Sequence, residues 1–571
     1  MNKTTSIFIV VTALLLGSGE LVHGNSIRFS KHDLSSSGGQ AIKASGLDQV
    51  CVFCHTPHNA RADIPYLWSR SAQTSTYIPY TSTTMMAPAG HVGSNGQPTG
   101  ASKLCLSCHD GTIALGAVLF SESSPIPFSG ATTLGGRSTS LGTDLSDDHP
   151  VSFDYQSSIT GGNTELVTAS TIAFTSISPV KLDSTGQLQC TACHDPHDDA
   201  FGKFLVKSNQ GSALCITCHT KSGWAASIHA TSTRTYSGTG VNPLPSASTT
   251  VAYNACGNCH RPHTAGRHQR LLKQVNEEDN CLACHSGQVA IQSNIANELT
   301  KVYRHPVASY LGVHDAHEDF TASVTKHVEC EDCHNPHQVK NTTAAAPLVS
   351  GRNIGVQGIT AAGAKTTNAA NLYEICFKCH ADAPNNVITT PEITRKFPQV
   401  NTRLEFLPGN PSSHRVEING SSGAAVPSLL APYTNTSILY CTDCHGSDNP
   451  TAGAHGPHGS VNKHLLVANY DTSDWANESA ATYALCYKCH NRNVILTVVA
   501  GPVFKHKNHI TSPGAHTSCA TCHDSHSSSG YNRLINFNTN VVTPNSGVIS
   551  YTPSPPRCTL VCHSHTHNNS G

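Results

Sequence analysis

The sequence predicts a mostly irregular chain with short helices and few short strands, wrapped around something other than its own side chains. Three observations predict this. Only 38% of the 571 residues are hydrophobic and 6% aromatic, while 44 glycines and 31 prolines interrupt any long element. Cysteine–histidine clusters recur along nearly the whole chain, and Ser/Thr-rich stretches fill much of the space between them. Such a composition cannot offset its folding entropy by burying side chains alone.

The clusters are regular. C-x-x-C-H begins at Cys51, Cys105, Cys190, Cys215, Cys256, Cys281, Cys330, Cys376, Cys441, Cys486 and Cys519. The second cysteines are Cys54, Cys108, Cys193, Cys218, Cys259, Cys284, Cys333, Cys379, Cys444, Cys489 and Cys522. A twelfth, wider version runs from Cys558 through Cys562 to His563, and the set uses all 24 cysteines. This is the attachment signature of c-type haem, in which both thiols bond to porphyrin vinyl groups and the histidine ligates iron. Zinc ribbons and disulfide scaffolds explain cysteine pairs but not a histidine after every one. Twelve covalent haems are therefore expected, forming a continuous chain. They leave roughly 46 residues after residue 24 for each haem, which means thin polypeptide around stacked porphyrins. The chain without haem should be largely unfolded.

The formal charge of −1 omits the cofactor. Each ferric haem with both propionates ionised adds about −1, so the loaded protein is expected to be acidic. No basic patch supports a nucleic-acid role. At the N-terminus, Lys3 precedes an apolar run from Ile7 to Leu16, and Val22-His23-Gly24 offers a cleavage site. Residues 1–24 read as a secretory signal peptide, too short for a confident membrane span, and no later apolar stretch is long enough. Export fits haem attachment outside the cytoplasm.

The motifs form six pairs. They divide the chain into 25–186 (haems 1–2 with a Ser/Thr/Gly-rich extension), 187–250 (haems 3–4), 251–326 (haems 5–6), 327–438 (haems 7–8), 439–515 (haems 9–10) and 516–571 (haems 11–12). Odd sites carry a second histidine three residues on, as in CTACHDPH at Cys190–His197; at Cys441 a glycine-rich insertion displaces it to His458. An apolar doublet follows at a near-constant offset: Phe204-Leu205, Leu271-Leu272, Leu465-Leu466 and Leu534-Ile535. This longer agreement marks internal duplication. A helical turn is expected at every motif, and short strands at Val151–Tyr155 and Thr171–Thr175.

The proximal ligands follow directly: His55, His109, His194, His219, His260, His285, His334, His380, His445, His490, His523 and His563. Six-coordinate iron needs twelve more. The trailing histidines His58, His197, His263, His337, His458 and His526 come first. Each sits too near its own proximal histidine to reach the other face of the same porphyrin, so each should reach a neighbouring haem. His149, His229, His305 and His414 follow the second, fourth, sixth and eighth haems. His506, His509 and His516 compete for the tenth, with His509 taken, and His32 completes the set. His314, His317, His327, His565 and His567 are substitutes. His91, His268, His455 and His464 read as surface or partly buried imidazoles. Met85 and Met86 are the only methionines after residue 24, so bis-histidine ligation with low potential and no vacant iron position is expected.

The C-x-x-C-H-x-P-H series and CVFCHTPHNA resemble the multihaem c-type cytochromes of metal-reducing bacteria, closest to the extracellular and outer-surface types that include filament-forming members. The resemblance implies electron transfer rather than catalysis. It implies an extracellular or outer-surface location over a periplasmic one. Its partners would be redox proteins, extracellular metal oxides or electrodes, with a homopolymer as a further state. In relatives that polymerise, a histidine of one subunit can ligate a haem in the next. His32 and the widened twelfth site are accordingly expected to meet across an interface, with His565 or His567 in cis as the alternative. A multihaem reductase with one open site and an electron-storage cytochrome are the competing functions.

Overall fold

The computed structural model describes residues 27–570 apart from 63, 65, 72, 88–95, 120–124, 310–317, 320–326, 384–390, 418–425, 450–453, 498–503 and 512. The proposed signal peptide at 1–24 and His91, His314 and His317 lie outside the described residues. The fold is mostly coil and short helical turns with few short strands. Its longest helices, Gly100–His109 and Leu372–His380, end on attachment motifs. The second is set by its ends and its apolar face. Asn371 and Glu374 form a reciprocal capping box, and Tyr373, Ile375 and Phe377 are buried.

Buried side chains form small separate clusters rather than one core. The largest gathers Phe153, Tyr155, Ile172, Val180, Leu182, Leu188, Ala192 and Cys218. Most strands are two residues long, and several serve to place histidines. Tyr303–Arg304 pairs antiparallel with Gly459–Ser460, which sets His305 beside His458. Ser412–Ser413 pairs with Ser527–Ser528, which sets His414 beside His526. Among the described residues, no helix is long and apolar enough to cross a membrane.

Three local expectations change. Val151–Tyr155 is a strand only over Phe153–Asp154, paired with Gln187–Leu188. Asp154 then caps the helix Tyr155–Thr160 by accepting from the Gln156 N–H. Thr171–Thr175 is not a strand; it overlaps a 3₁₀ turn at Ala169–Ile172. The twelfth motif is not a helical turn. It lies in the strand Pro556–Cys562, which pairs with Val542–Thr543, Ser550–Pro553 and His565–Ser570. The extra residue destroys the one-turn spacing, and the β-branched Thr559 and Val561 alternate with Cys558, Leu560 and Cys562 in a period of two.

A buried ion pair joins the two motifs of the fourth pair. Lys378 Nζ donates to both the backbone carbonyl and the Oδ1 of Asp332, each at 2.8 Å. Their side chains are 4% and 9% exposed. Lys488 reaches the Asp443 carbonyl at 3.4 Å in the same way in the fifth pair. Lys378→Met strands the Asp332 carboxylate in a dry site, and should cost about 3–5 kcal/mol of stability. The midpoint of denaturant unfolding of the haem-loaded protein measures this; an unchanged midpoint refutes it.

Candidate functional site

The attachment motifs share one backbone device. The motif histidine N–H bonds to the carbonyl of the first cysteine in motifs one, three to seven and nine to eleven, at 2.8–3.0 Å. Motifs two and eight sit inside longer helices. One helical turn therefore puts residues i, i+3 and i+4 on one face, which aims two thiols and an imidazole in a common direction.

A second device turns each ring. His55 Nδ1 bonds to the carbonyl of Tyr66 at 2.7 Å, His194 to Lys203 at 2.9 Å, His260 to Arg270 at 2.8 Å, His445 to His464 at 2.9 Å and His523 to Arg533 at 3.0 Å. These carbonyls come from two-residue turns with left-handed backbone: Tyr66-Leu67, Lys203-Phe204, Arg270-Leu271, His464-Leu465 and Arg533-Leu534, all with φ between 52° and 68°. Side chains other than glycine pay roughly 1–2 kcal/mol for each such residue. Strain of this kind is held where the surroundings fix it, as at a functional site. The sequence signals this turn only through its apolar doublet. His109, His285 and His334 find the carbonyls of Thr139, Ser293 and Arg352 at 2.8, 3.4 and 2.9 Å. In every one of these rings Nε2 is left for a ligand bond.

Eleven motif histidines each face a second imidazole. The pairs at the odd motifs are His55–His197, His194–His263, His260–His337, His334–His458, His445–His526 and His523–His506, with ring centroids 6.0–6.2 Å apart. Those at the even motifs are His109–His32, His219–His149, His285–His229, His380–His305 and His490–His414, at 6.2–6.4 Å. Metal–imidazole bonds of about 2 Å, with about 1.1 Å more to each ring centre, put two trans imidazoles on one iron about 6.2 Å apart. The residues fit a bis-histidine haem. A haem bound there would supply one-electron chemistry, and the two facing imidazoles are the residues that would hold it.

The pairings follow a register. A trailing histidine reaches back to the odd motif of the preceding pair. A histidine upstream of each of the first five pairs serves the even motif of that pair. The two are coupled, because the residue just before the trailing histidine offers its carbonyl to the upstream one. His32 Nδ1 bonds to the Pro196 carbonyl at 3.2 Å, His229 to Pro336 at 2.9 Å and His414 to Ser525 at 2.6 Å. His305 bonds to the Pro457 carbonyl likewise.

Several expected ligands stand elsewhere. His32 faces His109 of its own chain, at the second motif rather than the twelfth. His58 is exposed and faces no histidine ring among the described residues. Its motif is the first C-x-x-C-H in the printed sequence. At the tenth motif His490 is faced by His414 and not by His509, which faces His567 at 6.0 Å. His506, a competitor on sequence grounds, faces His523. His563 faces no second histidine on another segment among the described residues; its Nε2 is 2.6 Å from Asp474 Oδ2. His327 is engaged by Glu318 at 3.1 Å.

The sulfur atoms give the order of the sites. Thiols touch between consecutive pairs at Cys105–Cys190, Cys215–Cys256, Cys281–Cys330, Cys376–Cys441 and Cys486–Cys519. Within pairs, Cys54 senses Cys108, Cys193 senses Cys218, Cys259 senses Cys284, Cys333 senses Cys379, Cys444 senses Cys489 and Cys522 senses Cys558. The attachment points thus run in sequence order. A continuous cavity of about 5210 Å³ connects nine complete motifs, from the third to the eleventh, and Cys558. That is roughly 500–600 Å³ per motif, within the roughly 300–1,000 Å³ that a cofactor-sized ligand fills.

Three stretches, 184–223, 249–290 and 431–494, match the doubled CXXCH motif family. These are haem-binding motifs, as in a multihaem c-type cytochrome. The stretches coincide with the second, third and fifth of the six pairs, and multiple covalently bound c-type haems follow from them. The doubled motif is an electron-carrying unit rather than a catalytic one. No curated protein matches the chain.

Electrostatics separates the chain's imidazoles into two groups. Burial keeps most of them neutral, which is the ligand form. It lowers His219, His285, His445, His490 and His506 to about 4, and His337, His458 and His523 to about 3. The unfolded chain binds more protons than the folded one between those values and about 6.5, so stability rises with pH across that window. In the haem-loaded protein iron would compete with the proton for the same imidazoles, so acid titration should lower the unfolding midpoint progressively below about pH 6.5, and a flat midpoint there contradicts it. Two distal candidates instead meet carboxylates: His263 Nδ1 lies 3.0 Å from Asp148 Oδ1, and His526 Nδ1 lies 2.9 Å from Glu405 Oε2. Burial opposes the charge on His526, but Glu405 and Asp524 outweigh it and raise it to about 9. The Glu405–Asp524–His526 cluster is thus a basicity-raising shell around one ligand candidate. Glu405→Gln should raise the potential of one haem by about 40–90 mV, the equivalent of about 1–2 kcal/mol for one electron. Spectroelectrochemical titration reads this, and superimposable curves refute it.

Proposed function

We propose that the protein is a dodecahaem c-type cytochrome that carries electrons from haem to haem through bis-histidine, low-spin sites. The observation that carries this reading is the eleven motif histidines, each opposed by a second imidazole at the separation one iron requires. The sequence-ordered contacts between attachment cysteines support a wire over an unordered store of charge. Full coordination disfavours a reductase, which needs an open iron position. The N-terminal apolar segment and the resemblance to outer-surface cytochromes favour export through cleavage near residue 24. Electrons would then pass to extracellular metal oxides, electrodes or partner redox proteins. The exposed His58 favours a homopolymer. It is the one trailing histidine that faces no second imidazole among the described residues, and a second copy would supply its target.

The mature protein should carry roughly 7 kDa of covalent haem, and its ferric spectrum should be wholly low-spin. Intact mass and electron paramagnetic resonance measure the two quantities. Stoichiometric carbon monoxide binding to the reduced protein would instead point to an open site and to catalysis. Polymerisation is tested separately: the wild-type protein should assemble end to end and His58→Ala should remain monomeric by light scattering. A wild-type protein that stays monomeric removes the filament and leaves the haem reading intact.

A further inference from the structure

The twelfth motif departs from the other eleven in its backbone, its histidine and its imidazole pair. We propose that the twelfth iron is held by His509 and His567, while the motif histidine His563 is kept off the metal. This rests on the haem reading above. In a helical turn the residue after the second cysteine lies on the cysteines' face. Here the strand ends at Cys562, so the helical placement of the residue after the second cysteine is lost. His563 and Ser564 instead form a two-residue turn with φ of 48° and 62°, which reverses the chain into His565–Ser570. Across that hairpin Cys562 is opposite His565 and Leu560 is opposite His567. Residues opposite one another share a face, so His567 stands on the face that carries Cys562.

The two proposed ligands have the geometry of the other pairs. The His509 and His567 rings are 6.0 Å apart and 25° from parallel. His509 Nδ1 bonds to the Lys505 carbonyl at 3.0 Å, which leaves Nε2 for a metal. The helix His506–Ile510 carries both His506, opposite His523, and His509, so one turn would serve two adjacent irons. The register agrees: the histidine upstream of a pair serves its even motif, and His509 is upstream of the sixth pair.

His563 has the opposite arrangement. Its Nε2 is taken by Asp474 at 2.6 Å, and its Nδ1 is buried without a hydrogen-bond partner. Its ring stacks on Trp475 at 4.0 Å, 16° from parallel. The motif rings that bond through Nδ1 expose Nε2, whereas His563 has spent that nitrogen on a carboxylate.

Single variants of the haem-loaded protein test the assignment by intact mass and electron paramagnetic resonance. His509→Ala and His567→Ala should each convert one of twelve low-spin ferric haems to high spin with the haem mass unchanged. His563→Ala should leave all twelve low-spin. The assignment is overturned if His563→Ala yields the high-spin centre and His567→Ala does not. His567→Met keeps a ligand and guards against misfolding; it should show a sulfur-to-iron charge-transfer band. If His563→Ala loses one haem, or His567→Ala fails to fold, that band decides: its presence supports the assignment and its absence overturns it. A wild-type mass with no covalent haem would defeat the haem reading itself, a separate result.

Discussion

Opposed imidazole pairs stand at the joints of this chain, where an ordinary domain would have a hydrophobic core. Each pair joins segments far apart in sequence, such as His55 with His197 or His334 with His458. The side-chain clusters are too small and too separate to set the fold by themselves. Ligation by iron between the rings would make each join a strong link, and cofactor binding and folding would then be one equilibrium. The poor apolar content is tolerable for the same reason.

The link between one pair of motifs and the next is made by very few atoms. At the third motif, the Pro196 carbonyl orients His32 while His197 opposes His55. The same short segment thereby fixes a candidate ligand for each of two sites. Proline suits the position because it stiffens φ and its missing N–H is not needed there. Ser525 fills the place at the eleventh motif and keeps the carbonyl contact, so it is the carbonyl and not the ring that the geometry demands.

Tuning is superimposed on this repeated frame. Most imidazoles bond through Nδ1 to a carbonyl, a neutral partner. His263 and His526 bond to Asp148 and Glu405, which push electron density toward the metal side of the ring. A chain of otherwise similar sites can acquire a varied potential profile in this way without changing its ligands.

What the sequence determined by itself was local. Cys-x-x-Cys-His is read within five residues, because one helical turn suffices to aim both thiols and the imidazole. The trailing histidines His197, His263, His337, His458 and His526, and the upstream His32, His149, His229, His305 and His414, were legible as candidates from their repeated spacing. Only the tertiary structure decided which ring faces which. Opposition across an iron position joins distant segments, and spacing along the chain carries no information about it. The same reason hid the left-handed carbonyl turns, visible in sequence only as apolar doublets, and the carboxylates at Asp148 and Glu405. It also hid the fate of His563. One added residue turned a helical turn into a strand, and the left-handed turn that follows it set that histidine on Asp474 while His567 came round to meet His509.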